Sequence, residues 1–297
     1  MKLLISGSQG QVGSEVLRLA QKNNIETVAY SRQQLDITDK KAVFSAVTMQ
    51  QPDFIINCSA YTAVDKAESE SETAFTINEI GAANLADIAA QQHCTLIHIS
   101  TDYVFDGALK RPYTEQDTPA PINIYGLSKW KGELAIRSHC PEHIILRTSA
   151  VFGVQGHNIV KTICRLATEK DTIRMVADQY TCPTAAFDIA AAIFAIITQL
   201  YNEKSLHTQH HRYGTYHYCG TDITSWYDFA NVLLDIARQY QALKIQSIEP
   251  ISAADYLTPA KRPLYSALDC DKIYKLFGIT QASWVESLKI VLAALLQ

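Results

Sequence analysis

Apolar residues are grouped along the chain in two patterns, one typical of buried strands and one typical of helices. Short runs dominated by apolar side chains lie at residues 2–6, 27–30, 54–60, 95–100 and 143–147. Runs of this length with few charges are typical of strands that are buried on both faces of a sheet. Longer segments with helical periodicity follow these runs. The alternation predicts an α/β fold with a doubly wound parallel sheet.

The second half of the chain departs from this alternation. Its predicted elements are helices over 158–169, 185–201, 225–241 and from 284 onwards, and a strand over 215–218. No composition shift marks a linker between the halves. We therefore predict a dinucleotide-binding core over 1–150 and a smaller substrate-binding region over 151–297, with part of that chain returning to the core.

A glycine-rich turn follows the first predicted strand. Gly7, Gly10 and Gly13 are spaced three residues apart, and the predicted first helix continues from them. A glycine at Gly10 lets backbone N–H groups approach a pyrophosphate, and one at Gly13 lets the helix pack closely. The helix N-terminus adds partial positive charge. This order of strand, turn and helix indicates a Rossmann-type dinucleotide site that includes Gly7.

The end of the second predicted strand indicates which dinucleotide is bound. An acidic residue at this point would bind the ribose hydroxyls of NAD, but the chain has Ser31 and Arg32 there. A hydroxyl and a guanidinium suit a 2′-phosphate. The sequence thus favours NADPH, with NADH as the alternative if Arg32 is an ordinary surface charge. Asp36 is expected near the adenine.

Composition excludes several other classes. The 297-residue chain is 47% apolar with a net charge of −4, so nucleic acid is not an expected partner. We expect no membrane association and a cytoplasmic location, because no apolar run is long enough for a bilayer and no signal-peptide pattern is present. Seven cysteines without a C-x-x-C pair suit reduced thiols. His207, His210 and His211 are interpreted as a solvated loop and not as a metal site.

Three residues form a candidate catalytic group. Tyr125 and Lys129 are four residues apart in a predicted helix and so share one face. A nearby cation favours the phenolate and lowers the pKa of a tyrosine, which suits Tyr125 as general acid toward a carbonyl oxygen. Thr101 follows a predicted strand, and its hydroxyl is expected to bond the same oxygen. Lys129 is also expected to hold the nicotinamide ribose.

Taken together, these motifs identify the chain as similar to the extended short-chain dehydrogenase/reductases. Within that group it resembles the dTDP-4-dehydrorhamnose reductases over essentially its whole length. The strings that carry this resemblance are Gly10–Gly13, Ala60–Glu68, Ser100–Gly107, Asp178–Tyr180 and Lys261–Pro263. The resemblance implies NADPH-dependent reduction of the 4-keto group of dTDP-4-dehydro-L-rhamnose to dTDP-L-rhamnose, a polysaccharide precursor.

The same resemblance implies roles for individual residues. Those expected at the cofactor, besides Tyr125 and Lys129, are Gly10, Gln11, Val12 and Gly13 at the pyrophosphate and Asp36, Ile37, Ala60, Tyr61 and Thr62 at the nucleoside. Those expected at the dTDP-sugar are Thr101, Asp102, Ala150 and Arg262. For Arg262, contact with the substrate diphosphate and a packing role beside Pro263 are left open.

Two positions raise further questions. Ala150 stands where the family commonly has a tryptophan, which changes one wall of the sugar site. Glu15 matches a helix position at which some family members dimerise around Mg²⁺, so a homodimer is possible. One carboxylate does not make a metal site, and we predict none.

Three other functions share parts of this pattern. A dehydratase of the same fold uses Asp-Glu after the threonine, but Asp102 is followed here by Tyr103, which disfavours elimination of water. Another nucleotide-sugar reductase or an epimerase shares the fold and cofactor. A non-catalytic NADP-binding subunit, like the regulatory subunit of methionine adenosyltransferase, is also similar.

Overall fold

A sheet of parallel strands forms the centre of the molecule. The computed structural model describes residues 1–206 and 212–296, and in this part of the chain the sheet has six strands. In spatial order they are β10 (Gly214–His217), β5 (His143–Thr148), β4 (Thr95–Thr101), β3 (Phe54–Asn57), β1 (Lys2–Ser6) and β2 (Glu26–Tyr30). All neighbouring pairs are parallel. The predicted α/β fold with a doubly wound parallel sheet is therefore confirmed.

The α-helices in the described part of the chain are α1 (Gln11–Lys22), α2 (Lys40–Gln50), α3 (Val64–Ala67), α4 (Ser71–Phe75), α5 (Gly81–Gln91), α6 (Ile124–His139), α7 (Ile159–Glu169), α8 (Ala186–Ser205), α9 (Trp226–Ala237), α10 (Asp271–Phe277) and α11 (Trp284–Leu296). Helices α1 and α8 cover one face of the central sheet and α2, α5 and α6 cover the other, whereas α7, α9 and α11 pack in a separate cluster. Alternate residues of each strand point to opposite faces. Leu3 and Ile5 accordingly pack in the cluster with α1 and α8, while Leu4 packs with α2 and α5.

The second half of the chain contains strands that the hydrophobic pattern did not predict. They are β6 (Val151–Phe152), β7 (Thr172–Val176), β8 (Tyr180–Thr181), β9 (Thr184–Ala185), β11 (Thr224–Ser225) and β12 (Ser247–Ile251). They pair two by two outside the central sheet: β7 with β12, β6 with β9, and β8 with β11. Several are two residues long, and β12 is exposed or half-buried throughout. Such strands lack the apolar run by which a buried strand is recognised.

One predicted helix, over 71–92, consists of three consecutive parts. A π-helix, Thr76–Ile80, lies between α4 and α5. It contains Asn78, which is buried and holds the loop after β3 through both backbone groups of Tyr61, at 2.8 and 3.0 Å. The same side chain donates to the Ser128 hydroxyl on α6, at 2.9 Å. The π-helix thus ties this loop to α6, in line with the frequent occurrence of such turns at functional sites.

Two further observations concern a membrane-spanning helix and the histidine-containing segment. Among the described residues, no helix has both the length and the apolar character that crossing a membrane requires. The histidines at 207, 210 and 211 lie outside the described residues, so the interpretation of that segment as a solvated loop stays a prediction.

Candidate active site

Two adjoining cavities lie at the carboxyl ends of the central strands. The strand order reverses at β1, which has β2 on one side and β3 on the other. Open α/β sheets bind ligands at such a reversal. The larger cavity has a volume of about 550 Å³ and the smaller about 230 Å³. Gly10, Cys58 and Ala60 line both, so the two form one continuous groove.

The glycine turn forms the boundary between the cavities and depends on two close approaches. Gly7 has a φ of +71°, and a Cβ added to it would lie 2.7 Å from the carbonyl carbon of Cys58. A Cβ on Gly13 would lie 2.2 Å from the Gly7 carbonyl oxygen. Gly13 therefore lets α1 approach the turn itself, and not only the sheet as the sequence suggested. The start of α1, from Gly10 to Val12, faces the larger cavity.

The smaller cavity contains Arg32, one of the two residues expected to select the dinucleotide, and two residues expected at the nucleoside. Arg32, Asp36 and Ile37 line it together with Gly7. Hydrogen bonds from the backbone and side chain of Thr38 lower the pKa of Asp36 and keep it ionised. The structure does not place Ser31 in this wall, since it is buried and its backbone N–H donates to Gln34 at 2.9 Å.

The larger cavity brings together the three candidate catalytic residues. Thr101 ends β4, and Tyr125 and Lys129 lie on the first turns of α6; all three line the cavity. Asn123 caps α6 by accepting from the Gly126 N–H at 2.7 Å. Burial raises the pKa of Tyr125 to about 12, against a lowering by a hydrogen bond with the Thr101 hydroxyl. The phenol is therefore protonated at neutral pH, because burial outweighs the lowering that the sequence predicted.

Lys129 lies almost wholly inside the protein, with 2% of its surface exposed. Its Nζ is 2.7 Å from the Ile99 carbonyl oxygen and 3.1 Å from Nε2 of His98. Burial lowers the pKa of Lys129 to about 8, while the carboxylate of Glu133 acts in the opposite direction. The amine and ammonium forms are thus both accessible near neutral pH.

Asp102 places an acid beside these groups. It is buried, and it accepts hydrogen bonds from the hydroxyls of Thr101 and Ser149, each at 3.0 Å. Burial raises its pKa to about 6, although these hydrogen bonds act to lower it. Asp102 lines the larger cavity next to Thr101, and its expected contact with the sugar stays a prediction.

The far wall of the larger cavity comes from the second half of the chain. Ala150, expected near the sugar, lines it in a left-handed backbone conformation with φ of +45°. Sequence reasoning did not assign a site role to other residues in this wall, among them His157, Asn158, Tyr180, Thr181, Trp226 and Ser266. They come from several short elements, and only folding brings them together.

Three other residues that the sequence analysis singled out, Gln11, Tyr61 and Glu15, have hydrogen-bond or ion-pair partners within the chain. Asn158 donates to the Gln11 side chain at 3.0 Å, at the edge of the cofactor wall. Thr62 lines the larger cavity, but the Tyr61 hydroxyl points away and donates to Glu70 at 2.7 Å. Glu15 pairs with Arg18 on its own helix, at 2.7 Å. Within residues 1–206 and 212–296, no three His, Cys, Asp or Glu side chains are grouped as a metal site would need.

The structure does not bring Arg262 into either cavity wall among the described residues. Its guanidinium donates to both carboxylate oxygens of Asp65, at 2.8 and 3.1 Å. It also donates to the Ala260 carbonyl at 3.1 Å. Contact with a substrate diphosphate therefore stays a prediction, and the packing alternative has direct geometric support.

Known proteins are similar to this chain over its whole length. A family model described as RmlD substrate binding domain matches residues 1–297. A dTDP-4-dehydrorhamnose reductase from Sinorhizobium fredii is 40% identical over 296 residues, which cover 100% of this chain and 98% of that protein. A crystal structure of a dTDP-4-dehydrorhamnose reductase from Clostridium acetobutylicum matches with a TM-score of 0.92, 35% identity and full coverage of both chains. That of the Bacillus anthracis enzyme, in complex with NADP, matches with a TM-score of 0.88 and 36% identity over 99% of each chain.

Proposed function

The chain belongs to the RmlD substrate-binding family, and on that premise we propose that it reduces the 4-keto group of dTDP-4-dehydro-L-rhamnose to dTDP-L-rhamnose with NADPH. Relatives that this chain matches over nearly their whole length are named for this reaction. The enzyme class is an NAD(P)H-dependent oxidoreductase of nucleotide-sugar synthesis.

One observation supports the proposal most directly. Thr101, Tyr125 and Lys129 line the same cavity as the glycine turn, so a proton donor lies next to a site for a dinucleotide. Reduction of a ketone needs both, because a hydride adds to the carbon while a proton adds to the oxygen.

The residues present fit NADPH. The Gly7 and Gly13 contacts leave no room for side chains, so the turn presents backbone N–H groups at the start of α1. In the smaller cavity, Arg32 would pair with the 2′-phosphate, and Asp36 and Ile37 would line the nucleoside. Lys129 would hold the nicotinamide ribose. When bound, NADPH supplies the hydride that reduces C4 of the sugar.

The protein's own groups supply the proton. Tyr125 gives its phenol proton to the C4 oxygen, so that the ketone becomes a hydroxyl and the tyrosine a phenolate. The Thr101 hydroxyl donates to the same oxygen as negative charge develops on it. An ammonium at Lys129 stabilises the phenolate, which makes Tyr125 a stronger acid than its pKa of about 12 implies.

The test is an assay of purified protein with the keto sugar and either NADPH or NADH, followed at 340 nm. We expect one equivalent of NADPH to be oxidised for each sugar reduced, with a lower rate for NADH. An epimerase would give product without net oxidation of the nucleotide. Co-purification with a methionine adenosyltransferase and no oxidation would instead indicate a regulatory subunit. A cytoplasmic location, a homodimer and a lack of bound Mg²⁺ stay predictions.

A further inference from the structure

A row of buried polar side chains leads from the glycine turn to Lys129. Ser6 lies opposite Asn57 in the pairing of β1 with β3, and Asn57 lies opposite His98 in the pairing of β3 with β4. Each of these three is at most 1% exposed. Because partners in register present their side chains on the same face of a sheet, the three touch in sequence. Lys129 on α6 completes the row.

The directions of these hydrogen bonds follow from one backbone group. The Ser59 N–H lies 3.0 Å from Oδ1 of Asn57, and a backbone N–H can only donate. The atom of Asn57 that faces it must therefore be the oxygen, which also accepts from the Ser6 hydroxyl at 3.0 Å. The amide nitrogen of Asn57 is then left to face Nδ1 of His98, at 2.9 Å.

The orientation of Asn57 determines the tautomer of His98. An amide nitrogen donates, so Nδ1 of His98 must accept and carries no proton. A neutral imidazole has one N–H, which then lies on Nε2. That N–H points at Nζ of Lys129, 3.1 Å away. An ammonium has no lone pair to accept it, whereas a neutral amine does.

We propose that Asn57 and His98 favour the neutral amine of Lys129 over its ammonium form in the cofactor-free protein, which makes His98 a positioning residue that acts through Lys129. The amine accepts from His98 and donates to the Ile99 carbonyl at 2.7 Å. If Lys129 were an ammonium, one of its N–H groups and the Nε2–H of His98 would face each other inside the protein, where an unmade hydrogen bond is costly.

The other ionisable groups around Lys129 are compatible with this state. From β3, the Cys58 thiol is neutral, because burial raises its pKa to about 12. From α6, Tyr125 is a neutral phenol, and the Glu133 carboxylate is already paired with Arg147 at 2.7 Å and Arg137 at 3.1 Å. Beyond Thr101, Asp102 has its own hydroxyl donors. Burial lowers the pKa of His98 well below its usual value, so its imidazole stays neutral.

A consequence for turnover rests on the proposed function. Because an ammonium beside Tyr125 promotes proton donation, kcat/KM for the keto sugar should fall as the pH rises through the pKa of Lys129, about 8. Replacing Asn57 by aspartate keeps the shape but removes the donor to Nδ1. The carboxylate then accepts from an Nδ1–H of His98, which frees Nε2 to accept from the more basic lysine as ammonium.

The direct test is ¹⁵N NMR of the histidine ring nitrogens in the cofactor-free protein, with the His98 signals assigned from a His98→Gln variant. We expect a protonated Nε2 and a bare Nδ1 from pH 6 to 9, and the opposite tautomer in Asn57→Asp. A protonated Nδ1 in the unmodified protein, or an imidazolium in this range, would overturn the proposal.

The second readout is the pH dependence of NADPH oxidation. Asn57→Asp should move the alkaline midpoint up by at least one pH unit, whereas Ser6→Ala should leave it in place, because the Ser59 N–H still orients Asn57. An unmoved midpoint in an active Asn57→Asp enzyme would contradict the proposal. The NMR result needs no turnover, so an inactive protein with the expected tautomer would reject the proposed function and keep this inference.

Discussion

The guanidinium of Arg262 and the carboxylate of Asp65 form a two-pronged ion pair that joins distant parts of the chain. Asp65 lies in the first turn of α3, next to the loop after β3, and it also accepts from the Ala260 N–H at 3.3 Å. The pair thus connects the cofactor-side loop with the segment that carries Pro263 and Ser266 into the cavity wall. We therefore expect Arg262 to affect the cavity through the position of this segment.

If Arg262 acts only through its ion pair with Asp65, replacing either residue should change KM for the keto sugar by the same factor. We expect Arg262→Ala and Asp65→Ala each to raise KM for the keto sugar several-fold, with the double variant no worse than either single. The coupling free energy from this cycle should be about 1 kcal/mol or more. Steady-state kinetics measure it, with Arg165→Ala on α7, in an exposed pair with Glu169, as a control. A much larger effect of Arg262→Ala than of Asp65→Ala would favour direct contact with the substrate diphosphate.

Removal of the Tyr125 hydroxyl should abolish most turnover and leave cofactor binding intact. We expect Tyr125→Phe to lower kcat at least about a hundredfold, as for loss of a general acid. The Kd for NADPH, measured by fluorescence titration, should change by less than about twofold. Tyr274→Phe, at a side chain that is 56% exposed on α10, is the matched control. Near-normal turnover of Tyr125→Phe would exclude the proposed proton donor.

Asp102 should lower the stability of the fold at neutral pH. Its pKa of about 6 exceeds the ordinary 3.8, so the folded state binds more protons between these values and stability falls as the pH rises through this window. The difference corresponds to roughly 3 kcal/mol above pH 6. Asp102→Asn should therefore raise the free energy of unfolding at pH 7.5 by at least about 1 kcal/mol, and by little near pH 4.

Urea unfolding at both pH values measures this effect. Asp117 offers a control of opposite sign, because two hydrogen bonds from Arg111, at 2.7 and 2.8 Å, hold its pKa well below the usual range. Asp117→Asn should lose stability at pH 7.5. A loss of stability in Asp102→Asn at pH 7.5 would show that the hydrogen bonds to Ser149 and Thr101 outweigh the cost of burying the charge.

Arg32 should determine the preference for a 2′-phosphate. We expect Arg32→Gln to raise KM for NADPH about tenfold, a loss of about 1.4 kcal/mol, and to change KM for NADH by less than twofold. Arg238→Gln, on an exposed side chain paired with Asp235, controls for the change in net charge. Equal effects on both nucleotides would assign Arg32 to the shared part of the cofactor.

The hydrophobic pattern predicted the central sheet well because most of its strands are buried on both faces, whereas β2 at one edge is only half-buried. The run at 54–60 shows the limit of this signal: β3 ends at Asn57, and the apolar residues beyond it form the cavity wall. The paired strands β7 and β12 were missed because polar and exposed residues interrupt them. Tertiary pairing, and not local pattern, determines their conformation.

Motif spacing was similarly informative for the cofactor side and less so for the substrate side. Tyr125 and Lys129 are joined by one helix turn, so their proximity follows from sequence alone. Arg262 meets Asp65 only in the folded chain, and no local pattern reveals this pair. Asn57 and His98 did carry a signal, since each is a polar residue in an otherwise apolar buried strand and must have a partner.

The position of β10 at one edge of the sheet affects folding of the chain during its synthesis. Its partner β5 ends at Thr148, but β10 is not synthesised until residues 214–217. Until then the nascent chain presents one unpaired backbone edge of the six-residue strand β5, which favours association with other chains. A fragment cut after residue 150 would keep that edge permanently open, so the nucleotide-binding half is not expected to remain monodisperse when expressed by itself.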